Sequence, residues 1–429
     1  MGHQPLQRVI GLTGATLIGL GSMLGTGIFV SIGIAAGVTG PWVIFAILLA
    51  ALVACCNALS SAQLAASHPV SGGTYAYGYR YLHPALGFTA GWMFLCAKTA
   101  SAATAALGFA AYLLHLFHLP FASITPVAAI TVALLTLLAA SGMRRTNLTN
   151  TVIVAITLCS LGLFSLSGSV YLLQQDGKYL NSFFTPDTLN PGDFLYATAL
   201  IFVAYTGYGR LATLGEEVKQ PRTTIPKAIM LSLLFSALLY VWVTLVALGL
   251  TGWEQLASAT RHWPTPLEMA ANTMTIPGLP IVVIVGACTA MLGVLLNLIL
   301  GLSRTVLAMG RQQDLPKRFA VISGKHQTPV AAIIGIGISI LGLVAIGNVK
   351  TTWSFSAFTV LIYYAITNLA ALRLPKTERR YPAIIAWIGL FACLFLTFWV
   401  PLAIGISGLG LIALGLLWHC LYRSFVLKR

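Results

Sequence analysis

Apolar stretches of about 20 residues or more recur along nearly the whole of this chain, separated by short polar connections. A hydrocarbon layer about 30 Å thick is crossed by roughly 20 helical residues, and inside it every backbone N–H and C=O must find its partner within the segment. Repeated stretches of that length therefore predict a bundle of membrane-spanning helices. Composition removes the soluble alternative, because 58% of the residues are hydrophobic and 8% are charged, against roughly 25% charged in a soluble domain.

Twelve spans are predicted: 8–34, 41–64, 85–117, 123–141, 150–173 and 194–216, then 226–250, 277–303, 329–347, 353–373, 382–401 and 402–422. The first stretch is long, rich in glycine and followed at once by further spans, so it reads as a retained helix and not as a cleaved signal peptide. An even number of spans puts both termini on one side. With that side taken as the cytoplasm, the inner segments hold 19 lysines and arginines and the outer loops only Lys178, Arg261 and Lys350. Excess positive charge marks the cytoplasmic loops, so both termini are expected in the cytoplasm.

The formal charge of +15 is spread over those loops and not gathered into a stripe, which excludes a nucleic-acid partner. Cys55, Cys56, Cys96, Cys159, Cys288, Cys393 and Cys420 lie in or beside apolar stretches without metal-ligand spacing, so no metal is expected. His115 and His118 have a ligand-like spacing but no acidic or cysteine neighbour in sequence. At bilayer depth there are no paired carboxylates and no His/Cys nucleophile arrangement, and no phosphate-binding glycine loop with a lysine occurs. An enzyme, a cofactor and ATP-driven transport are therefore not expected.

Two spans are predicted to break. Span one carries Gly19, Gly21, Gly25 and Gly27 within nine residues, each costing about 1 kcal/mol relative to alanine in a helix interior. Gly21 and Gly25 also have the spacing of close helix packing, but Gly25-Thr26-Gly27 places glycine on two faces of one turn, which favours unwinding. Span six carries Ala204-Tyr205-Thr206-Gly207-Tyr208-Gly209 at similar depth. The two segments start five spans apart, so they enter from opposite faces, as an inverted repeat of five helices would arrange them. The free amides of a half-helix N-terminus attract an anion, and the opposing carbonyl end attracts a cation. A zwitterion whose carboxylate and ammonium are close together suits both.

Four blocks, in order, carry a resemblance to the amino acid/polyamine/organocation (APC) transporter superfamily across nearly the full length. They are Gly25-Thr26-Gly27-Ile28-Phe29, the loop 69–75, the stretch 202–207 running into 216–222 with Ile225-Pro226, and 303–309 with Leu315-Pro316 and Thr328-Pro329-Val330. The resemblance implies an all-α integral membrane protein of 12 transmembrane helices in one transporter domain spanning 1–429. Its five-plus-five inverted repeat (LeuT-like) would place the first repeat at 8–173, the second at 194–373 and two trailing helices at 382–422, with helices one and six broken.

It also implies secondary active transport of an amino acid across the plasma or bacterial inner membrane by alternating access. The substrate carboxylate would sit on the amides of Gly25, Thr26 and Gly27. Its ammonium would meet carbonyls near Met23, Val203, Ala204 and Thr206, beside Gly207. Two departures bear on substrate and coupling: Gly209 and Arg210 stand where many members place an acid after the span-six break, and Thr157 stands where a span-five lysine is frequent. The first favours neutral amino acids over a polyamine or other organic cation, and the second leaves proton symport and exchange both open. A non-transporting amino acid sensor on the same scaffold is the alternative from another class.

Lys98 lies near the middle of span three, where a charge is costly and usually marks function. No Asp or Glu precedes Asp176. Its proton must therefore be held by carbonyls and hydroxyls, be paired with the second half of the molecule, or be given up. Lys98 is accordingly the candidate for a proton-linked or substrate-linked coupling role, with a structural bond to broken-helix carbonyls and snorkelling to the interface as the rival roles. Arg210 and Glu217, two helical turns apart on a similar face, are expected to form a structural or gating pair. Trp42, Trp253 and Trp353 read as interface anchors, and Asn57, Gln63 and Asn297 as interhelical hydrogen-bonders.

Overall fold

The computed structural model of the protein describes residues 10–69, 72–142, 147–174, 189–212, 217–262, 265–322 and 328–427. Val70, Ser71 and Glu216 of the motif blocks, and Arg8, Arg144, Arg145, Lys178, Lys325, Lys428 and Arg429 of the charge argument, lie outside the described residues. Helices and connecting turns make up what is described, with no β-sheet.

In chain order the helices are α1 (Leu12–Met23), α2 (Ile32–Thr39), α3 (Val43–Ser67), α4 (Thr74–Tyr81), α5 (Pro84–Leu116), α6 (Ile124–Ala140), α7 (Asn147–Gln174) and α8 (Pro191–Tyr205). They continue as α9 (Gly209–Ala212), α10 (Pro221–His262), α11 (Pro266–Asn272), α12 (Leu279–Arg311), α13 (Val330–Val344), α14 (Val349–Leu372), α15 (Ala383–Thr397) and α16 (Leu402–Leu427). Among the described residues, eight helical runs are long and apolar enough to cross a membrane, and α13 and α15 are shorter apolar helices.

Local chemistry sets the boundaries. Proline occupies the first position of α5, α8, α10 and α11, where its missing N–H would have no intrahelical partner anyway. Asn190 and Asn348 cap α8 and α14, accepting from the Gly192 and Thr351 amides, each at 2.9 Å. Within α10 the helical path bends at Gly252, whose φ of 76° and ψ of 165° are open essentially to glycine alone.

Burial separates centre from rim. In the apolar windows of α5 and α14, 83% and 78% of residues are buried, against 22% in the run that contains α6 and 17% in α16. Leu134, Leu173, Phe398 and Leu421 point outward, as lipid-facing side chains do. Small hydroxyls line the α5–α14 seam, where Ser101 meets Ser356 and Thr104 meets Thr352, both at 2.8 Å. Lipid tails are as apolar as leucine, so such close packing and hydrogen bonds supply the helix-to-helix attraction.

At the end of the bundle that carries the N-terminus, the Ile10 amide donates to the Glu217 carbonyl at 3.1 Å and the Lys219 amide to the Ile10 carbonyl at 2.8 Å. Nearby, the buried carboxylate of Asp314 accepts from the hydroxyls of Tyr75 and Tyr79 on α4 at 2.7 and 2.5 Å. Its other oxygen lies 3.2 Å from His419 of α16. Burial first, and the adjacent Asp314 carboxylate after it, hold both tyrosine hydroxyls above their ordinary range, so they remain donors. At the opposite end, Glu268 of α11 lies 3.1 Å from His115 and also accepts from Thr265 and Asn272. The acid that sequence proximity did not offer His115 therefore arrives from 153 residues away, by folding.

Candidate functional site

Both irregular turns occur, that of span one slightly displaced from its expected place and that of span six inside the 204–209 stretch. Helix α1 ends at Met23, and Leu24 is extended with ψ of 91°. The chain turns helical again from Thr26, through a wide turn at Gly27–Ser31 into α2. The break thus falls at Leu24 and Gly25, and Thr26 and Gly27 open the second half-helix instead of lying within unwound chain. The first bonds of that half-helix run from the Ile28 and Phe29 amides to the Gly25 carbonyl at 3.1 and 3.2 Å. The amides of Gly25, Thr26 and Gly27 precede them, which makes them the orphan donors of a helix start. In span six the irregularity is a tightened turn, Thr206–Tyr208, between α8 and α9.

Glycine brings the two turns together. A Cβ on Gly207 would sit 2.5 Å from the Ser22 carbonyl carbon and oxygen, and one on Gly27 would sit 2.5 Å from the Ala204 Cβ. A Cβ on Gly25 would meet Val294 of α12 at 2.6 Å. The two faces of glycine in the 25–27 turn therefore serve two neighbours, so close packing and the break coexist here and are not alternatives.

A cavity of about 100 Å³ lies at this junction, and its wall contains all eight expected substrate residues, Met23, Gly25, Thr26, Gly27, Val203, Ala204, Thr206 and Gly207, together with Lys98 and Arg210. No Asp or Glu is among the described residues of that wall. It extends past Asn297 to Gly72, Arg304 and Thr305. Two polar atoms on the wall stand out. Thr26 Oγ1 and Asn297 Nδ2 are buried without a hydrogen-bond partner among the described residues, and a buried polar group that stays unpaired costs about 1–3 kcal/mol. A polar ligand would satisfy them.

The carbonyls are partly engaged. Tyr240 of α10 donates to the Met23 carbonyl at 2.7 Å and lies 3.2 Å from that of Ala204. Tyr364 reaches the Thr206 carbonyl at 3.4 Å. Thr206 Oγ1 donates to the Val203 carbonyl at 2.6 Å and accepts from Lys98 Nζ at 2.7 Å. Each carbonyl keeps a second lone pair. Lys98 is thus buried at 8% exposure, turned into the bundle and against the span-six turn, and it does not snorkel.

Arg210 and Glu217 do not behave as their spacing implied. Arg210 lies on α9 whereas Glu217 lies in a turn, so a spacing of two helical turns does not place them on one face. Arg210 donates to the Asn297 carbonyl at 2.7 Å, and the carboxylate of Glu217 bonds Arg304 at 2.8 Å. Sequence reasoning also missed Tyr240, and it read Asn297 as an interhelical hydrogen-bonder, whereas its Nδ2 lines the cavity without a partner among the described residues. It assigned Trp353 to the interface, whereas Trp353 is 3% exposed, donates to the Leu200 carbonyl at 2.9 Å and lines the cavity. Only the density of buried aromatics and amides inside predicted spans could have signalled these residues.

Comparison with known proteins matches the family model described as amino acid permease to residues 14–418. The chain is 37% identical to an uncharacterized transporter of Mycobacterium tuberculosis, over 96% of this chain and 90% of the relative. It is 28% identical to the branched-chain amino acid permease BcaP of Bacillus subtilis, over 92% of this chain and 88% of that one. Identity to the vacuolar cationic amino acid transporter 4 of Arabidopsis thaliana is 26%, over 79% of this chain and 58% of the relative.

Proposed function

Because the chain belongs to the amino acid permease family of the APC superfamily, we propose that it is a secondary active transporter of neutral amino acids working by alternating access. The reading takes the protein as twelve spans in a five-plus-five inverted repeat with both termini in the cytoplasm of a cell. One observation carries it: a single cavity is bounded by the orphan amides at Gly25–Gly27 on one side and by the carbonyls at Val203–Thr206 on the other. The amides suit a carboxylate, Thr26 Oγ1 can add a further donor to it, and the carbonyls suit an ammonium. With the N-terminus inside, the cavity wall reaches the cytoplasmic side at Arg304, whose exposed side chain bonds Glu217 beside the Ile10 contact.

Selectivity follows from the wall. A second cationic group on the substrate would find Lys98, Arg210 and Arg304 there and no described carboxylate. In proteoliposomes, neutral amino acids should compete for uptake of a radiolabelled neutral amino acid, whereas putrescine and arginine should not. Inhibition by putrescine at concentrations matching the neutral competitor would favour the organic-cation reading suggested by the similarity to cationic amino acid transporters. Saturable binding with no uptake by the reconstituted protein would favour a sensor.

For coupling, Lys98 is the titratable group on the wall that touches the span-six turn, and a proton held there in one state and released in the other lets a gradient bias the cycle. Lys98→Met should flatten the pH dependence of transport while leaving measurable exchange between internal and external amino acid. Wild-type pH dependence in that variant would remove Lys98 from the coupling step and leave it a structural donor to Thr206.

A further inference from the structure

We propose that the Lys98 proton and the ammonium of the substrate exclude one another, so that this site exchanges an amino acid for a proton and does not carry the two together. The inference rests on the proposed amino acid site and adds the sign of its coupling. Its observation is the placement of Lys98 Nζ, 2.7 Å from Thr206 Oγ1, which is itself 2.6 Å from the Val203 carbonyl. The Lys98 ammonium therefore stands within two hydrogen-bond lengths of the Val203 carbonyl, one of those proposed to hold the substrate ammonium, in a wall without a described carboxylate to screen the two charges.

Hydrogen-bond inventory sharpens the point. A protonated lysine offers three donors and no acceptor, so it draws on the same oxygens as an incoming ammonium and repels it. A neutral lysine has a lone pair and can accept an N–H from that ammonium, turning a competitor into a ligand. The hydroxyls nearby cannot change sides in the same way. Thr206 Oγ1 already gives its hydrogen to Val203, and Tyr240 gives its hydrogen to Met23. The balance is one proton: Lys98 ammonium plus substrate ammonium become Lys98 amine hydrogen-bonded to substrate ammonium, with the proton passing to water at the open end of the cavity.

The other titratable and charged groups around Lys98 come from every side. Arg210 and Arg304 belong to α9 and α12; Tyr208 and Tyr364 come from the span-six turn and α14, their rings 5.4 Å apart; and Tyr363 of α14 has its ring 5.0 Å from that of Phe94. Both arginines stay charged at all working pH values and the tyrosines stay neutral below the alkaline range, which leaves Lys98 as the group whose charge can answer the substrate.

Reciprocity between two ligands fixes the sign. If amino acid binding expels the proton, lowering the pH must weaken amino acid binding, by up to about tenfold per pH unit while Lys98 is charged. Calorimetry on the purified full chain, in two buffers of different protonation enthalpy, counts protons released on adding the tightest binder among L-leucine, L-alanine, L-phenylalanine and L-serine. Release approaching one proton per amino acid is expected where Lys98 is charged, and none with 4-methylpentanoate, which has leucine's carboxylate and side chain but no ammonium.

Lys98→Met should bind without proton release and without pH dependence. Lys98→Arg keeps a cation that cannot be discharged and should lose binding by a factor of about ten or more, whereas a merely structural cation would be replaced by arginine at little loss. In proteoliposomes preloaded with amino acid, external acid should accelerate efflux, while symport requires it to accelerate uptake. Zero release or net proton uptake in the wild type, wild-type release in Lys98→Met, or wild-type affinity in Lys98→Arg each overturns the exclusion while leaving the amino acid site intact. Failure of all four amino acids to bind overturns both readings.

Discussion

Gly27→Leu should abolish amino acid binding and transport. The first added carbon alone would stand 2.5 Å from the Ala204 Cβ and 2.8 Å from the Tyr240 hydroxyl, the group that bonds the Met23 and Ala204 carbonyls. The rest of the side chain must then push the two half-helices apart or fill the space in front of the Gly25–Gly27 amides. Overpacking of this kind costs about 1–3 kcal/mol in a well-packed core, so thermal stability should fall as well, beyond what simple occlusion of an anion site would produce. Gly27→Ala should show the stability loss with part of the binding retained. Gly162→Ala, where a Cβ meets nothing within 4 Å, should change neither. Near-normal uptake by Gly27→Leu would show that the carboxylate does not approach this turn.

Asp314→Ala should destabilise the folded protein by about 3–5 kcal/mol, the range for removing one member of a buried charged network. Asp314 is 1% exposed and is the common acceptor for Tyr75 and Tyr79 of α4, with His419 of α16 beside it. Its removal strands the buried Tyr75 hydroxyl, the partly buried Tyr79 hydroxyl and a histidine at once. It thereby loosens α4, the end of α12 and α16 together, although the bond from Trp418 Nε1 to the residue-314 carbonyl at 3.0 Å survives as a backbone contact. Asp314→Asn keeps one oxygen acceptor and should lose less. Thermal unfolding of the detergent-purified protein reads the difference, and a midpoint for Asp314→Ala equal to wild type would mean that α4 and α16 are held independently of this carboxylate.

The two readings from sequence that succeeded best concern consecutive backbone. Helices occupy the apolar stretches because hydrocarbon leaves an apolar chain no other way to pair its backbone. The irregular turn of span one could be placed to within two residues, because a cluster of glycines weakens the local helix whatever surrounds it. The tightened turn of span six was placed by the same kind of signal, though not its geometry.

Side-chain partners were set by tertiary structure, and the reason is physical. An i, i+7 relation such as Arg210 to Glu217 holds only on an uninterrupted helix, and Glu217 lies in a turn, where Arg304 reaches it instead. Tyr240 meets the Met23 carbonyl from 217 residues away, Glu268 meets His115 across 153, and Asp314 gathers Tyr75 and Tyr79 of α4 and His419 of α16. Within each span all faces are nearly equally apolar, so the sequence carries little record of which face turns inward. The sequence by itself determined a helical membrane protein of this family, interrupted at two glycine-marked turns, because backbone pairing and glycine's weak helix propensity act locally. Only the packing of α1, α5, α8, α10 and α12 against one another decided that Lys98 meets Thr206, that Tyr240 guards the carbonyls and that Asn297 faces the same cavity, because those contacts depend on which helix faces meet.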